Sequence, residues 1–237
     1  MFHQLLKDAG VLHLKYQFVR VKLVIQKSLK NETKDLGIYA LEEFFDKNLI
    51  EHNQRRAGLL LKIDEDPLWQ ERADFAAQYL DKKDLGYIKQ FDYVNAKILP
   101  FSESSIIKDE TLHQQFLTGR NLFKSYITNK APISAVFDVP LLAKYNAICN
   151  LLGADHALVA HNYRVYFNPI NALLEPVGFD GNAYHKTYYP YQYRGAEKDP
   201  VYMAAYAKAI EEVTTDEYIN SILSLSLIHI SEPTRPY

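Results

Sequence analysis

GADHALVAHN (residues 153–162) sets an aspartate, two histidines and an asparagine into an otherwise small, apolar run. Its flanks decide how it is read. Upstream, VFDVPLLAKYNAICNLLG (136–153) opens with Asp138 as a cap and Pro140 in the first turn, and it stops at Gly153, so it predicts a helix. Leu141, Leu142, Tyr145, Ile148, Cys149 and Leu152 share a broad apolar face of that helix. Within that face Cys149 reads as a small hydrophobe rather than a reactive thiol. Downstream, NYRVYF (162–167) predicts a strand, NPINA (168–172) a turn around Pro169, and LLEPVGFDGN (173–182) a returning strand. Asp155 and Asn162 therefore fall on a loop between a buried helix and a hairpin, and Asp180 falls where the hairpin ends. A short hairpin brings Asn162 and Asp180 close together across its open end.

Working outward, the N-terminal third reads as a mixture of strands and short helices. FHQLLKDAGVL (2–12) has the form of the last turns of an amphipathic helix stopped by Gly10. YQFVRVKLVI (16–25) alternates as a half-buried strand should, and LGIYALEE (36–43) is its partner across the long polar connection QKSLKNETKD (26–35). FFDKNLIEHNQRR (44–56) holds a short helix capped by Asp46, and AGLLLKIDED (57–66) a third strand with Lys62 near its end. From Asp66 to about Ala131 the pattern is mostly helical and polar. DPVYMAAYAKAIEEVTTDEYINSIL (199–223) reads as a further helix. The fold class is α+β.

Composition narrows the function classes. With 237 residues, 48% hydrophobic content and a net charge of −2, the chain suits a globular core and carries no charge bias toward nucleic acid. A single cysteine rules out an intrachain disulfide and a cysteine-based zinc site. No run is long and apolar enough for a transmembrane helix, and no signal peptide is legible at the start. His156 and His161, five residues apart with no third ligand nearby, make a poor zinc site. The tyrosine-rich HKTYYPYQYR (185–194) has two readings, a stacking surface or an ordered loop using tyrosine for packing. The C-terminal LSLIHISEPTRPY (225–237) matches, over LSLIHISEPTR, the translation of a transposase-type sequencing adapter, and is set aside from fold reasoning. The alternative is a natural disordered tail.

An aspartate on a rigid loop, an asparagine, a hairpin and a second aspartate have a chemical use in protein kinases. There the first aspartate orients the acceptor hydroxyl and takes its proton, while the asparagine and second aspartate hold the magnesium ions that bridge the ATP phosphates. Hard oxygen ligands suit magnesium. The bare D-x6-N-x17-D spacing is weak alone, because Asp and Asn cap turns throughout proteins.

The wider sequence adds to it. GADHALVAHNYRVYFNP, LEPVGFDGN, LGIYALEEFFDK and RRAGLLLKIDED together resemble the CotH kinase family, spore-coat CotH-like proteins with an atypical protein-kinase-like fold. The resemblance runs in order from Phe2 to about Asn182. It implies ATP-dependent phosphorylation of protein serine or threonine, with Asp155 as the catalytic aspartate and Asn162 and Asp180 as ligands of Mg2+. It also implies a partial N-lobe with its hinge over 1–65, a mainly helical C-lobe over 66–224, and the adapter-like tail beyond. Glu42–Phe45 would form the hinge beneath adenine, with Glu43 as its nucleotide-facing residue. Lys62 is either a nucleotide contact or a solvated strand-end lysine. The family's phosphate-contacting lysine would lie upstream of Met1, so the chain reads as cut at both ends and is expected to be inactive as written. The D-x6-N spacing departs from the tighter D-x4-N loop that many members resemble, which leaves the projection of Asp155 open. A second reading keeps the fold as a non-catalytic coat or cell-surface interaction protein. The acceptor and the compartment are not legible.

Overall fold

A computed structural model describes residues 1–26, 31–78, 93–101, 103–183 and 195–231. Its centre is a four-stranded sheet in the order β4–β3–β5–β6, with β3 at Leu59–Ile63, β4 at Ile98–Pro100, β5 at Arg164–Asn168 and β6 at Leu173–Pro176. All three pairings are antiparallel, and Leu61 faces Val165 while Leu60 faces Tyr166. Strand alternation then sorts the side chains into two layers. Leu59, Leu61, Ile63, Val165, Phe167 and Leu174 belong to the larger core. Leu60 and Tyr166 point the other way, into a smaller core with Leu12, Leu14, Phe45, Leu49 and Ile50. Being buried on both faces is why LLLKI is a nearly continuous apolar run.

Helices close both layers. The larger core is completed by α5 (Glu110–Ile127), α6 (Val139–Leu152), α7 (Pro200–Val213) and, from the other end of the chain, α1 (Phe2–Asp8). The smaller core is covered by α2 (Lys47–His52), whose cap Asp46 accepts the Asn48 N–H at 2.8 Å. Because β3 pairs with β5 and Phe2, Leu5 and Leu6 lie in the larger core, residues before and after position 65 share one interior. At α6, Asp138 accepts the Leu141 N–H at 3.2 Å, Pro140 sits in the first turn, and Gly153 takes φ 59° as the left-handed stop. A polar seam joins α6 to α7: Asn146 donates to the Tyr202 hydroxyl at 3.0 Å and Asn150 to that of Tyr206 at 2.8 Å.

Several sequence expectations need correction. The strands β1 (Tyr16–Ile25) and β2 (Glu32–Glu42) do pair as an antiparallel hairpin, with Phe18 opposite Ala40. However, β1 is not half-buried: Phe18 is 76% exposed, and Ile38 and Leu41 on β2 are 63% and 58% exposed. By alternation Phe18 and Ile38 lie on one face and Tyr39 and Leu41 on the other, and among the described residues no layer packs on either. Since β2 begins at Glu32 rather than at Leu36, the polar connection is shorter than the sequence suggested. The helical stretch after Asp66 holds α3 (Asp66–Gln78), α4 (Glu103–Lys108) and α5, but also the three-residue β4. So short a strand leaves no period to read. Asp109 breaks α4 from α5 by accepting the Thr111 and Leu112 N–H groups. Similarly, the helix expected over 199–223 is two, α7 and α8 (Asp216–Ser231), parted at Thr214. The tyrosine-rich stretch 185–194 lies outside the described residues.

Candidate active site

The segment between α6 and β5 is two successive 3-10 turns, Asp155–Leu158 and Ala160–Asn162. Each is tied to the scaffold below it. Ala154 N–H donates to Cys149 O at 2.7 Å, and the Tyr145 hydroxyl of α6 donates to Ala157 O at 3.3 Å. Ala154, Ala157 and Leu158 are fully buried, so the loop is part of the core rather than a strap over it. Cys149 beneath it is buried, and burial pushes its thiol well up, away from nucleophile chemistry.

The other side of the site is the segment after β6. Val177 bridges to Leu12, and Gly178 N–H donates to Leu12 O at 2.8 Å. A Cβ on Gly178 would collide with Leu6 Cδ1, and one on Gly181 would lie 2.8 Å from the Phe2 ring. Only glycine lets this segment press against α1 so closely. Between the two glycines Asp180 takes φ 43°, a left-handed conformation that costs Asp less than most residues but is still strained. The chain here is held in an unusual shape by packing on both sides.

These two segments meet as the sequence expected. Asn162, 4% exposed, donates from Nδ2 to Asp180 Oδ2 at 3.2 Å and to His156 O at 2.9 Å. His156 joins them: its Nδ1 is 3.1 Å from Asp180 Oδ2 and 3.1 Å from Asn162 Nδ2. Asp155, half-buried, directly precedes His156 at the head of the first turn. Behind them the His161 ring packs edge-on to His156 at 5.9 Å and to Trp69 at 6.5 Å. Burial holds the His161 imidazole below its ordinary pKa, although Glu65 pulls the other way, so it is predominantly neutral near pH 7.

The two nucleotide candidates make other contacts. Glu43 spends its carboxylate inside the fold, on His52 Nδ1 at 2.9 Å and on the Lys15 N–H at 2.9 Å. Lys62 is half-buried, with Nζ 5.4 Å from the Phe101 ring centroid, opposite Arg164 in the sheet. No hydrogen bond or ion pair among the described residues joins either of them to Asp155, Asn162 or Asp180.

Arg164 is the residue that sequence reasoning missed. Its guanidinium, on a side chain 5% exposed, pairs with Glu65 at 2.9 Å, donates to His161 O at 2.8 Å and lies 4.5 Å over the Phe179 ring. It therefore connects the loop carrying Asn162, the segment carrying Asp180 and the end of β3. Desolvation by burial pulls Arg164 below its ordinary value, while Glu65 and Asp180 oppose that shift, so the two carboxylates help to keep it charged. Nothing local to NYRVYF marks this arginine as buried.

A family model described as CotH kinase protein matches residues 1–224. The chain belongs to the CotH kinase family. No curated protein matches it. At family level it is a kinase-like protein, and kinases in general use ATP and a divalent metal. The residue types fit a hard cation, since Asn162 and Asp180 each carry a side-chain oxygen and Asp180 is 45% exposed, and Asn162 would have to turn its amide, which now points Nδ2 at Asp180, to offer that oxygen. Among the described residues no three His, Cys, Asp or Glu side chains are grouped to hold a metal, and no helix is long and apolar enough to cross a membrane.

Proposed function

We propose that the CotH-type protein to which this chain belongs transfers the γ-phosphoryl group of ATP to serine or threonine of a protein substrate. The observation that carries this is the apposition of Asn162 and Asp180 at 3.2 Å across the open end of the β5–β6 hairpin, with Asp155 on the same loop. In this reading Asp155 orients the acceptor hydroxyl and takes its proton. Asn162 and Asp180 hold Mg2+, which supplies charge neutralisation on the ATP phosphates when bound. The Glu42–Phe45 segment lies beneath adenine, where Glu43 contributes through its main-chain carbonyl because its carboxylate is engaged with His52 and Lys15 and its N–H with Lys15 O. Lys62 is a candidate for a further nucleotide contact.

The test is binding of a fluorescent ATP analogue to the complete gene product, with and without Mg2+. Saturable, Mg2+-dependent binding that Asp180→Ala abolishes is expected. An Asp180→Ala protein that binds nucleotide and turns over as well as the parent overturns the assignment. A second reading, a coat or cell-surface interaction protein that keeps the fold without catalysis, draws support from the exposed apolar side chains of the β1–β2 hairpin. Normal Mg2+-ATP binding without phosphoryl transfer to any protein acceptor would favour it.

A further inference from the structure

Counting donors and acceptors places the hydrogens of the His156–Asn162–Asp180 cluster. Asn162 Nδ2 carries two hydrogens and has two oxygens in reach, His156 O at 2.9 Å and Asp180 Oδ2 at 3.2 Å. His156 Nδ1 faces two oxygens of Asp180, Oδ2 at 3.1 Å and the main-chain carbonyl at 3.2 Å. A bare lone pair on Nδ1 would oppose both of them, whereas an Nδ1–H donates to them. The hydrogen therefore sits on Nδ1. Asp180 Oδ2 then accepts from both neighbours, and among the described residues nothing bonds to Oδ1.

Resting on the proposed phosphoryl-transfer site, we propose that His156 is a positioning residue for it: the Nδ1–H, shared by two oxygens of Asp180, holds that carboxylate and leaves Oδ1 for the cation. Two features of Asp180 call for such a hold. Its backbone sits at φ 43°, a conformation that surrounding groups must maintain. Its side chain is 45% exposed, so packing alone does not fix the rotamer. One imidazole N–H meets both needs, bracing the backbone through the carbonyl and the side chain through Oδ2. His156 is itself carried by the 3-10 turn Asp155–Leu158, whose Ala157 and Leu158 are buried. The bond thus ties the loop of Asp155 to the segment of Asp180 across 24 positions of sequence. Ligating carboxylates are generally supported by hydrogen bonds of this kind. The hold also survives a turn of the Asn162 amide: Asn162 Oδ1, brought to where Nδ2 now lies 3.1 Å from Nδ1, would accept from the same N–H.

The experiment has two parts. In the 237-residue chain with 15N-labelled histidine, long-range proton–nitrogen correlation spectra read which ring nitrogen of His156 carries hydrogen. Hydrogen on Nδ1 is expected, and a ring with its only hydrogen on Nε2 overturns the inference without any variant having to fold. In the complete gene product, Mg2+ is titrated against binding of the fluorescent ATP analogue. His156→Ala should raise the Mg2+ concentration for half-maximal binding by about ten- to a hundredfold. His156→Asn places an amide N–H where Nδ1–H stood and should return that concentration to within about threefold of wild type. His156→Gln, whose amide matches Nε2 instead, should not restore it. A merely structural role would not rank Asn above Gln in this way. If His156→Ala leaves the Mg2+ requirement unchanged, or His156→Gln restores it as well as His156→Asn, the inference fails, while loss of binding in Asp180→Ala keeps the site. If Asp180→Ala binds as wild type does, the site and the inference fail together.

Discussion

The loop of Asp155 and Asn162 and the β1–β2 hairpin are held in opposite ways. The loop has little regular structure, only two 3-10 turns, yet Ala154, Ala157 and Leu158 are fully buried and its carbonyls are tied to α6 and Arg164. The hairpin has ten paired positions, interrupted only by a register shift between Val21 and Lys22, yet Phe18, Ile38, Leu41 and Tyr39 are all at least half exposed. Hydrogen-bonded regularity and burial are separate properties. A ladder satisfies the backbone, but stability at a side chain comes from the layer packed against it.

That contrast makes changes in the loop expensive and changes in the hairpin cheap. The largest effect should be on chemistry: Asp155→Asn in the complete protein should spare nucleotide binding and lower turnover by about 10²–10⁴. Single-turnover phosphoryl transfer checks it, and a change in nucleotide affinity alone would remove Asp155 from the acid–base role. Next comes the support beneath the loop. Arg164→Ala removes the buried guanidinium and its bonds to Glu65 and His161 O, while Glu65, 17% exposed, keeps the bond from Trp69 Nε1–H. It should cost about 1–3 kcal/mol, read by urea unfolding. A cost below about 1 kcal/mol would mean that the loop is held mainly by its own buried alanines and leucine.

His3 sharpens the comparison, because it stands between the two regions. Its Nδ1 accepts the Leu14 N–H at 3.1 Å and its ring lies 4.8 Å from Tyr16 at the root of the hairpin. Burial, with His13 and the N-terminal charge assisting, depresses its pKa to about 3. The sign follows from linkage. The neutral ring stabilises the fold fully above the unfolded value near 6.5, and that stability is lost as pH falls from there toward 3, because the unfolded chain takes the proton first. Unfolding free energy should drop by up to about 1.4 kcal/mol per pH unit across this window. His3→Gln should flatten that slope, and a slope unchanged by the substitution would assign it to other groups. The smallest effect belongs to the hairpin: Phe18→Ser should change stability by no more than about 0.5 kcal/mol. A loss above about 2 kcal/mol would show that the exposed face is covered in solution.

Much of the site was legible locally. The limits of α6 follow from Asp138, Pro140 and Gly153, whose capping roles depend on a few neighbouring residues. The meeting of Asn162 with Asp180 follows from hairpin length alone, since strands that leave a short turn together return together. The family could be recognised from stretches around the same residues. What sequence could not determine were the quantities that need a partner from afar. Nothing near Arg164 tells that Glu65, ninety-nine positions earlier, would neutralise it in the interior. Nothing near His156 tells that its ring would stand between Asn162 and Asp180, because that depends on where α1 presses on Gly178 and Gly181. The hairpin is the converse case. Its alternation determined the strands and their pairing, while the absence of a covering layer among the described residues decided their exposure. Backbone geometry and capping act over a few residues and are written in the chain. Burial and charge pairing are properties of what the folded chain brings alongside.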